Sequence, residues 1–219
     1  MKLKMILSLT IVCLVSALLL SKVFQVTEPK IEADKAKNLK HHLMEVTFPM
    51  AAEYTVFDKD TSFEAAYDSA GNYMGCAAFT VIMPDTVWAV CDTLEQQIGI
   101  VFKVWPQGYG GPIETLVGLA RDTTVTGIRP ATPAEGLKET PGLGVKINED
   151  WFRWQFVGKT ESDVLLKKDG GTLDAITAAT ISARAVANGV RDGICKYKKY
   201  LVCQATEPSS DQEIEPSGD

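Results

Sequence analysis

Residues 174–182, Asp-Ala-Ile-Thr-Ala-Ala-Thr-Ile-Ser, lie between a Gly-Gly turn and an amphipathic helical pattern. The apolar positions of that pattern recur at helical spacing, at Ile181, Val186, Val190, Ile194, Tyr197 and Leu201. We therefore expect residues 177–180 to lie at a helix N-terminus, where unpaired backbone N–H groups and the macrodipole favour an anion. A threonine hydroxyl among these small alanines could bind a phosphate or carry one covalently. The simpler interpretation is that Thr177 or Thr180 only caps the helix.

Charge and cysteine spacing argue against two classes of function. The net charge of −6 over 219 residues argues against nucleic acid as a partner. The five cysteines form no Cys-x-x-Cys pair and show no zinc or iron–sulfur spacing, so we predict no metal site. The length suits one sizeable domain with an appendage.

The N-terminus predicts a membrane anchor. Lys2 and Lys4 precede an apolar run over residues 6–20, and snorkelling of Lys22 extends the run to spanning length within residues 1–26. A cleaved signal peptide is the competing interpretation, but residues 18–22 lack a small-x-small cleavage site. The early lysines predict a cytoplasmic N-terminus. We therefore expect a single-pass protein of the inner or cell membrane, in contact with lipid, with its main domain on the outer face.

The rest of the chain is predicted to form a stalk, one domain and a tail. Residues 27–46 are rich in Lys, Glu and Ala with a thin apolar stripe, which indicates a helical stalk. Residues 47–204 combine short β-rich runs with one long C-terminal helix and form the predicted domain. Residues 205–219 are polar and acidic, and we expect this tail to be disordered.

Within the domain the pattern predicts an α+β fold. Strands are predicted at residues 76–83, 98–105, 114–119 and 125–129, with a hairpin turn at 70–72. Residues 84–97, which include Cys91, show no clear pattern, so the sequence assigns them neither a strand nor a helix and leaves an insertion open. The predicted fold is a mostly antiparallel sheet with flanking helices, preceded by one transmembrane helix.

A second informative stretch is the loop at residues 139–144, Glu-Thr-Pro-Gly-Leu-Gly. By itself it predicts only a rigid Pro-Gly turn. Residues 108–113, Gly-Tyr-Gly-Gly-Pro-Ile, likewise predict no more than a tight turn, because the context of a dinucleotide fingerprint is missing.

Together these stretches resemble the FMN-binding domain family. Residues 174–180 are similar to its flavinylation motif, Asp-x-x-(Ser/Thr)-Gly-Ala-Thr, and residues 139–144 match its hallmark loop in full. Residues 108–113 and 154–159 resemble two further segments, so the resemblance covers roughly residues 108–188. One departure is Ala178, which stands where the family usually has glycine and matters if that position needs a positive φ.

The resemblance implies a covalent flavin. Thr180 would carry FMN through a phosphoester formed by a flavin transferase, so the protein would be a flavoprotein with a modified threonine. The other residues implied in cofactor binding are Asp174, Thr177, Ala178 and Ala179 in the attachment motif, and Glu139, Thr140, Gly142 and Leu143 in the loop. The loop residues would line the flavin ring or its ribityl chain.

The order of span, stalk and motifs is most similar to the G subunit of Rnf electron-transport complexes. This resemblance implies an electron-transfer subunit of an ion-translocating ferredoxin:NAD oxidoreductase, working with other membrane subunits rather than as a stand-alone enzyme. The related C subunit of sodium-translocating NADH:quinone reductase is one alternative. An unflavinylated, membrane-tethered binding or assembly module is another, and a free-standing flavin reductase is a third.

Overall fold

The structure is a computed structural model that describes residues 2–49, 51, 53–58, 63–84, 86–94 and 96–201. The acidic tail predicted at residues 205–219 lies outside the described residues. The chain divides into two compact units, Met1–His41 and His42–Asp219. The second unit carries the sheet and all of the motifs discussed above.

The first helix, α1, runs over Lys2–Thr47 without a break. It includes the residues predicted to form the anchor and the stalk. In the part of the chain that the structure describes, no helix is long and apolar enough to cross a membrane. The transmembrane anchor predicted at residues 1–26 is therefore not confirmed.

The second unit contains one antiparallel sheet in which seven strands follow each other in chain order. The strands are β1 (Glu53–Asp58), β2 (Phe63–Tyr67), β3 (Tyr73–Met83), β4 (Val87–Cys91), β5 (Gln97–Val104), β6 (Thr115–Ala120) and β7 (Val125–Pro130). Each strand pairs with its neighbour in the chain, as antiparallel strands joined by turns can. The predicted α+β class with a mostly antiparallel sheet is confirmed, and so is the hairpin turn near residues 70–72.

Strand β4 corrects the sequence analysis. No strand was predicted within residues 84–97, but β4 lies between β3 and β5 and pairs with both. Its first four residues, Val87 to Val90, are all buried. A strand that is covered on both faces is a short apolar run, without the alternation of apolar and polar residues that marks a half-buried strand. The periodicity of residues 87–91 therefore did not predict a strand.

The long helix α3 (Thr180–Tyr197) packs against β5 and covers one face of the sheet. Two glycines allow this close approach: a Cβ on Gly193 would lie 2.4 Å from the Phe102 ring, and one on Gly189 would lie 2.6 Å from Pro106. The buried core between helix and sheet includes Ile100, Phe102, Val117, Leu119, Val186, Val190 and Ile194.

The end of α1 belongs to the second unit and packs on β6 and β7. Thr126 Oγ1 donates a hydrogen bond of 2.8 Å to the carbonyl oxygen of Val46. A Cβ on Gly118 or Gly127, which face each other across the strand pair, would lie 2.7 or 2.8 Å from the same oxygen. These glycines therefore make room for the helix backbone.

Residues 131–179, all of which are described, form no strand and connect β7 to α3. They contain a short helix α2 (Asp150–Arg153) and 3-10 turns at Pro133–Glu135, Gly144–Asn148, Trp154–Phe156 and Lys167–Asp169. A last 3-10 turn, Lys198–Leu201, follows α3. Both motif-bearing loops lie in this irregular connection.

Candidate cofactor site

The N-terminus of α3 is open. The helix begins at Thr180 with Ala179 at the N-cap position, and no side chain caps it. The first helical hydrogen bond runs from the Ala183 N–H to the Ala179 carbonyl at 3.1 Å. Among the described residues, the N–H groups of Thr180, Ile181 and Ser182 have no acceptor. The interpretation that Thr177 or Thr180 serves as the helix cap is therefore wrong.

The two threonines differ in exposure. Thr177 is exposed and Thr180 is half-buried at the first position of the helix. Within the described part of the chain, neither hydroxyl forms a hydrogen bond. Thr180 therefore presents a free hydroxyl beside unpaired backbone donors, which is the arrangement expected of a phosphate acceptor.

Ala178 has a φ of +64°, so it adopts the left-handed conformation that favours glycine. It is one of two such non-glycine residues in the described chain, and the other is Thr123. The departure from the family's glycine therefore leaves a glycine-type backbone in place. The methyl group costs about 1 kcal/mol in this conformation.

Buried side chains and hydrogen bonds fix the position of the attachment segment. Leu173 and Ile176 are almost fully buried, and the Leu173 carbonyl accepts from the Lys167 N–H at 2.8 Å. The Asp174 N–H donates to Gln155 Oε1 at 2.6 Å. This contact identifies the other terminal atom of Gln155 as the amide nitrogen, which is buried and has no partner among the described residues. The start of the attachment segment is therefore held in place, and Gln155 Nε2 remains as an unused hydrogen-bond donor next to it.

Glu139 connects the three glycine- and hydroxyl-rich motifs. The residue is 6% exposed. Ser182 Oγ, in the first turn of α3, donates to Oε2 at 2.8 Å, and the Gly110 N–H donates to Oε1 at 3.1 Å. A Cβ on Gly108 would lie 2.3 Å from Oε1, and one on Gly144 would lie 2.2 Å from Oε2. The glycines at positions 108 and 144 therefore make room for this carboxylate.

The rest of the loop is open to solvent. Thr140, Gly142 and Leu143 are exposed, and the Leu143 N–H closes a turn onto the Thr140 carbonyl at 3.1 Å. Gly142 has a φ of +75°, in the left-handed region that favours glycine. The structure thus brings the loop to the helix N-terminus through Glu139, while its predicted ring-lining residues lie on the surface. Their contact with a flavin stays a prediction.

Two ion pairs flank the attachment segment. Arg184 binds Asp169 through both carboxylate oxygens, at 2.7 and 2.9 Å. Lys167 Nζ lies 2.8 Å from each oxygen of Asp174. The hydrogen bond from Arg184 lowers the pKa of Asp169 below its usual value, and the same contact raises the pKa of Arg184. The sequence analysis missed Arg184, although its position four residues after Thr180 indicates a neighbour on the same helix face.

These residues fit the phosphate of a flavin nucleotide. Thr180 offers a free hydroxyl, the helix offers unpaired N–H groups, and a cationic side chain follows one turn later. The backbone at Ala178 has the left-handed conformation that favours glycine, the residue that is usual there in the flavinylation motif. The arrangement can hold an anion and expose the rest of a ligand to solvent.

Comparison with known proteins agrees with this geometry. The FMN-binding domain family matches residues 108–194. The G subunit of an ion-translocating oxidoreductase complex from Methanosarcina acetivorans is 30% identical over 192 residues, which cover 87% of this chain and 92% of that protein. The chain belongs to the family of these G subunits.

Other members of the G-subunit family match over different lengths. The member from Pseudoalteromonas atlantica is 36% identical over 122 residues, covering 52% of this chain and 55% of its own length. The chain thus spans about half the length of several curated relatives that it matches. The G subunit of a proton-translocating ferredoxin:NAD(+) oxidoreductase complex from Clostridium ljungdahlii is 27% identical over 190 residues, covering 85% of this chain and 86% of that protein.

Among solved structures, the C subunit of a sodium-translocating NADH-quinone reductase from Parabacteroides distasonis is similar with a TM-score of 0.44 and 21% identity. The match covers 54% of this chain and 63% of that one.

Proposed function

We propose that the chain is a membrane-anchored electron-transfer subunit that carries FMN through a phosphoester to Thr180. The observation that carries the proposal is the free Thr180 hydroxyl at an uncapped helix N-terminus, within a motif that belongs to an FMN-binding domain. An anion at that position gains from the unpaired N–H groups and from the helix dipole.

The residues take distinct roles in this proposal. Thr180 is the acceptor. Asp174, Thr177, Ala178 and Ala179 form the backbone and side-chain pattern that a flavin transferase would recognise around it. Thr140, Gly142 and Leu143 supply an exposed turn directly after Glu139, which contacts the first turn of α3, and they would line the flavin. Glu139 would support the site without contacting the flavin, because its two oxygens already accept hydrogen bonds from Ser182 and Gly110.

Attachment would join Thr180 Oγ to the flavin phosphorus, with the hydroxyl proton passing to a base of the transferase. A phosphate monoester does not condense with an alcohol in water, so the donor must be an activated flavin nucleotide. Its anhydride bond breaks as the ester forms, and the second phosphate leaves with its own substituent. Thr180 needs only to be accessible and correctly placed, which its free hydroxyl at the start of α3 satisfies.

Bound FMN would supply the redox chemistry, and the chain would bind and orient it. The full assembly would be an ion-translocating complex of the ferredoxin:NAD type, with the other subunits as partners and lipid around an anchor at residues 1–26. The domain would then lie on the outer face, with the N-terminus in the cytoplasm. Covalent attachment would keep the carrier from being lost there.

The test is an intact mass of the protein from its native host, followed by peptide mapping. We expect an added mass of FMN less one water on the peptide that contains Thr180. Thr180→Ala should lose this mass and the flavin fluorescence of the denatured protein. Thr177→Ala is the matched control, because it removes a hydroxyl three residues earlier and leaves the acceptor in place.

An unmodified mass from a host with an active flavin transferase would overturn the proposal and leave the membrane-tethered binding module as the better function. Modification of Thr177 instead of Thr180 would contradict the assignment of the acceptor. Co-purification with ferredoxin-type iron–sulfur subunits would separate the ferredoxin:NAD complex from the quinone-reductase alternative. Recovery of the full chain in the soluble fraction of its native host would contradict the anchor.

A further inference from the structure

Arg184 lies one helical turn after Thr180. Residues four apart on a helix are neighbours, with their Cβ atoms about 5–6 Å apart. Long helical side chains also point back toward the N-terminus and lie over the preceding turn. These general properties of helices favour a direction of the Arg184 side chain toward the turn that begins with Thr180.

Asp169 fixes the orientation of the guanidinium. Arg184 Nε donates to one carboxylate oxygen at 2.7 Å and Nη2 donates to the other at 2.9 Å, which is a bidentate pair. Asp169 itself ends a short 3-10 turn that closes at Gly170, where φ is +89°. The pair thus joins the first part of α3 to the turn that precedes the attachment segment.

The guanidinium still has unused donors. It carries five N–H groups, and Asp169 accepts from two of them. The other three have no acceptor among the described residues, although the side chain is only 43% exposed. A planar, permanently charged group with free N–H donors is the side chain best suited to bind a phosphate oxygen.

The charges near Thr180 favour Arg184 as a cation that contacts both Asp169 and a bound phosphate. Asp169 and Asp174 each have their own partner, Arg184 and Lys167, so the two ion pairs are neutral. A phosphate diester at Thr180 would add one negative charge next to them. Lys167 is 60% exposed and has a flexible stem, whereas Arg184 is held at a fixed angle one turn from Thr180.

We propose that Arg184, oriented by Asp169, binds the phosphate of the flavin nucleotide at Thr180. This inference rests on the proposed function and adds a phosphate-binding side chain outside the attachment motif. Arg184 balances the charge of the phosphate and holds one of its oxygens while the ester forms and afterwards. Arg184→Lys keeps the charge but loses the bidentate contact with Asp169.

The first experiment measures attachment. The full chain is produced without a flavin transferase and is then incubated with the transferase and a flavin dinucleotide, and intact mass is followed over time. Arg184→Gln should slow the gain of mass by about tenfold or more, as expected for one hydrogen bond between charged groups. Arg184→Lys should recover part of the rate.

The matched control is Arg191→Gln. Arg191 lies on the same helix seven residues later, is 36% exposed and pairs with Asp192. We expect its rate to stay within about twofold of the wild type, since an exposed pair far from Thr180 contributes little. Thermal unfolding of both variants should stay close to that of the wild type, because ion pairs as exposed as these contribute at most about 1 kcal/mol. A small change in stability with a large change in rate separates a binding role from a structural one.

A second readout examines the finished product. After attachment has gone to completion, the ³¹P resonance of the phosphodiester should shift in Arg184→Gln and stay unchanged in Arg191→Gln. A slower attachment with an unchanged resonance would assign Arg184 to recognition by the transferase and overturn the proposal. Equal rates and equal resonances would overturn it as well. If the wild type itself gains no mass, the proposed function fails first.

Discussion

The loop at residues 139–144 and the attachment segment at residues 174–180 meet at the same end of α3, but they are built in opposite ways. In the loop, Glu139 is 6% exposed and both of its oxygens are occupied. In the attachment segment, Thr177 and Ala178 are exposed, Thr180 is half-buried, and the helix end is uncapped. The loop fixes the position of the helix end through Glu139, and the attachment segment presents a hydroxyl and N–H groups that have no partner among the described residues.

The difference shows how a site can be both ordered and available. Glu139 places a buried carboxylate at the start of α3, where the helix dipole favours a negative charge. It thereby fixes the helix end without using the Thr180 hydroxyl. The strain at Ala178 is located on the exposed side, where the chain turns into the helix. Three substitutions can break or sharpen this contrast.

The largest expected effect is that of Glu139→Ala. The change removes the acceptor of the Ser182 hydroxyl, which is 1% exposed, and of the Gly110 N–H, and it empties the space between Gly108 and Gly144. We expect the free energy of unfolding to fall by about 2–4 kcal/mol, measured by urea titration.

The control for this prediction is Glu139→Gln. Its amide can accept from the Gly110 N–H and donate to the Ser182 hydroxyl, so the loss should be less than half as large. A similar loss in both variants would show that the charge dominates at this position. No loss in either variant would contradict the description of Glu139 as the residue that fixes the helix end.

A smaller effect, of opposite sign, is expected from Ala178→Gly. Glycine adopts the observed φ of +64° without the steric cost of a methyl group, so we expect a stability gain of about 1 kcal/mol. Ala185→Gly, in the regular part of α3, should instead cost about 1 kcal/mol. Thermal unfolding of the pair tests both, and destabilisation by Ala178→Gly would contradict the left-handed backbone.

The smallest effect concerns the pH dependence of Asp169. The hydrogen bond from Arg184 holds the pKa of this carboxyl below its ordinary value of 3.8, against an opposing effect of burial. The contribution of the pair is therefore complete above pH 3.8 and is lost as the pH falls through the lower folded pKa. In Arg184→Gln, a ¹³C titration should show the pKa of Asp169 returning toward 3.8.

Arg191→Gln is again the control for this titration and should leave the pKa of Asp169 where it is. An unchanged pKa in Arg184→Gln would mean that Arg184 does not hold Asp169 in solution. The geometry on which the phosphate-binding proposal depends would then be wrong.

Regular periodicity made much of the fold predictable. The strands at residues 98–105, 114–119 and 125–129 and the helix after residue 180 were predicted within a few residues of their observed bounds. Strand β4 was missed, because a strand buried on both faces has no alternation to detect. The position of the helix N-terminus was predicted correctly, and of the two interpretations offered for its threonines the helix cap was wrong.

The site, like the fold, was predictable only where the signal lies in one continuous stretch of sequence. Family resemblance identified Thr180 and the loop at residues 139–144, since both are contiguous in the chain. Glu139 was expected to line the ligand, yet the structure places it beneath the helix end with both oxygens in use. Its partners Gly110 and Ser182 are 29 and 43 residues away in sequence, so no local pattern indicates the contact.

The sequence by itself determined the family, the antiparallel fold class and the expected position of the cofactor, because periodicity and short motifs are local properties of a chain. Tertiary structure decided which groups remain free. Glu139 is buried against Gly144 of its own loop and Gly108 of a distant segment, and Arg184 is oriented by an aspartate fifteen residues earlier. Such pairings depend on how distant segments pack, and packing is settled only when the whole domain folds.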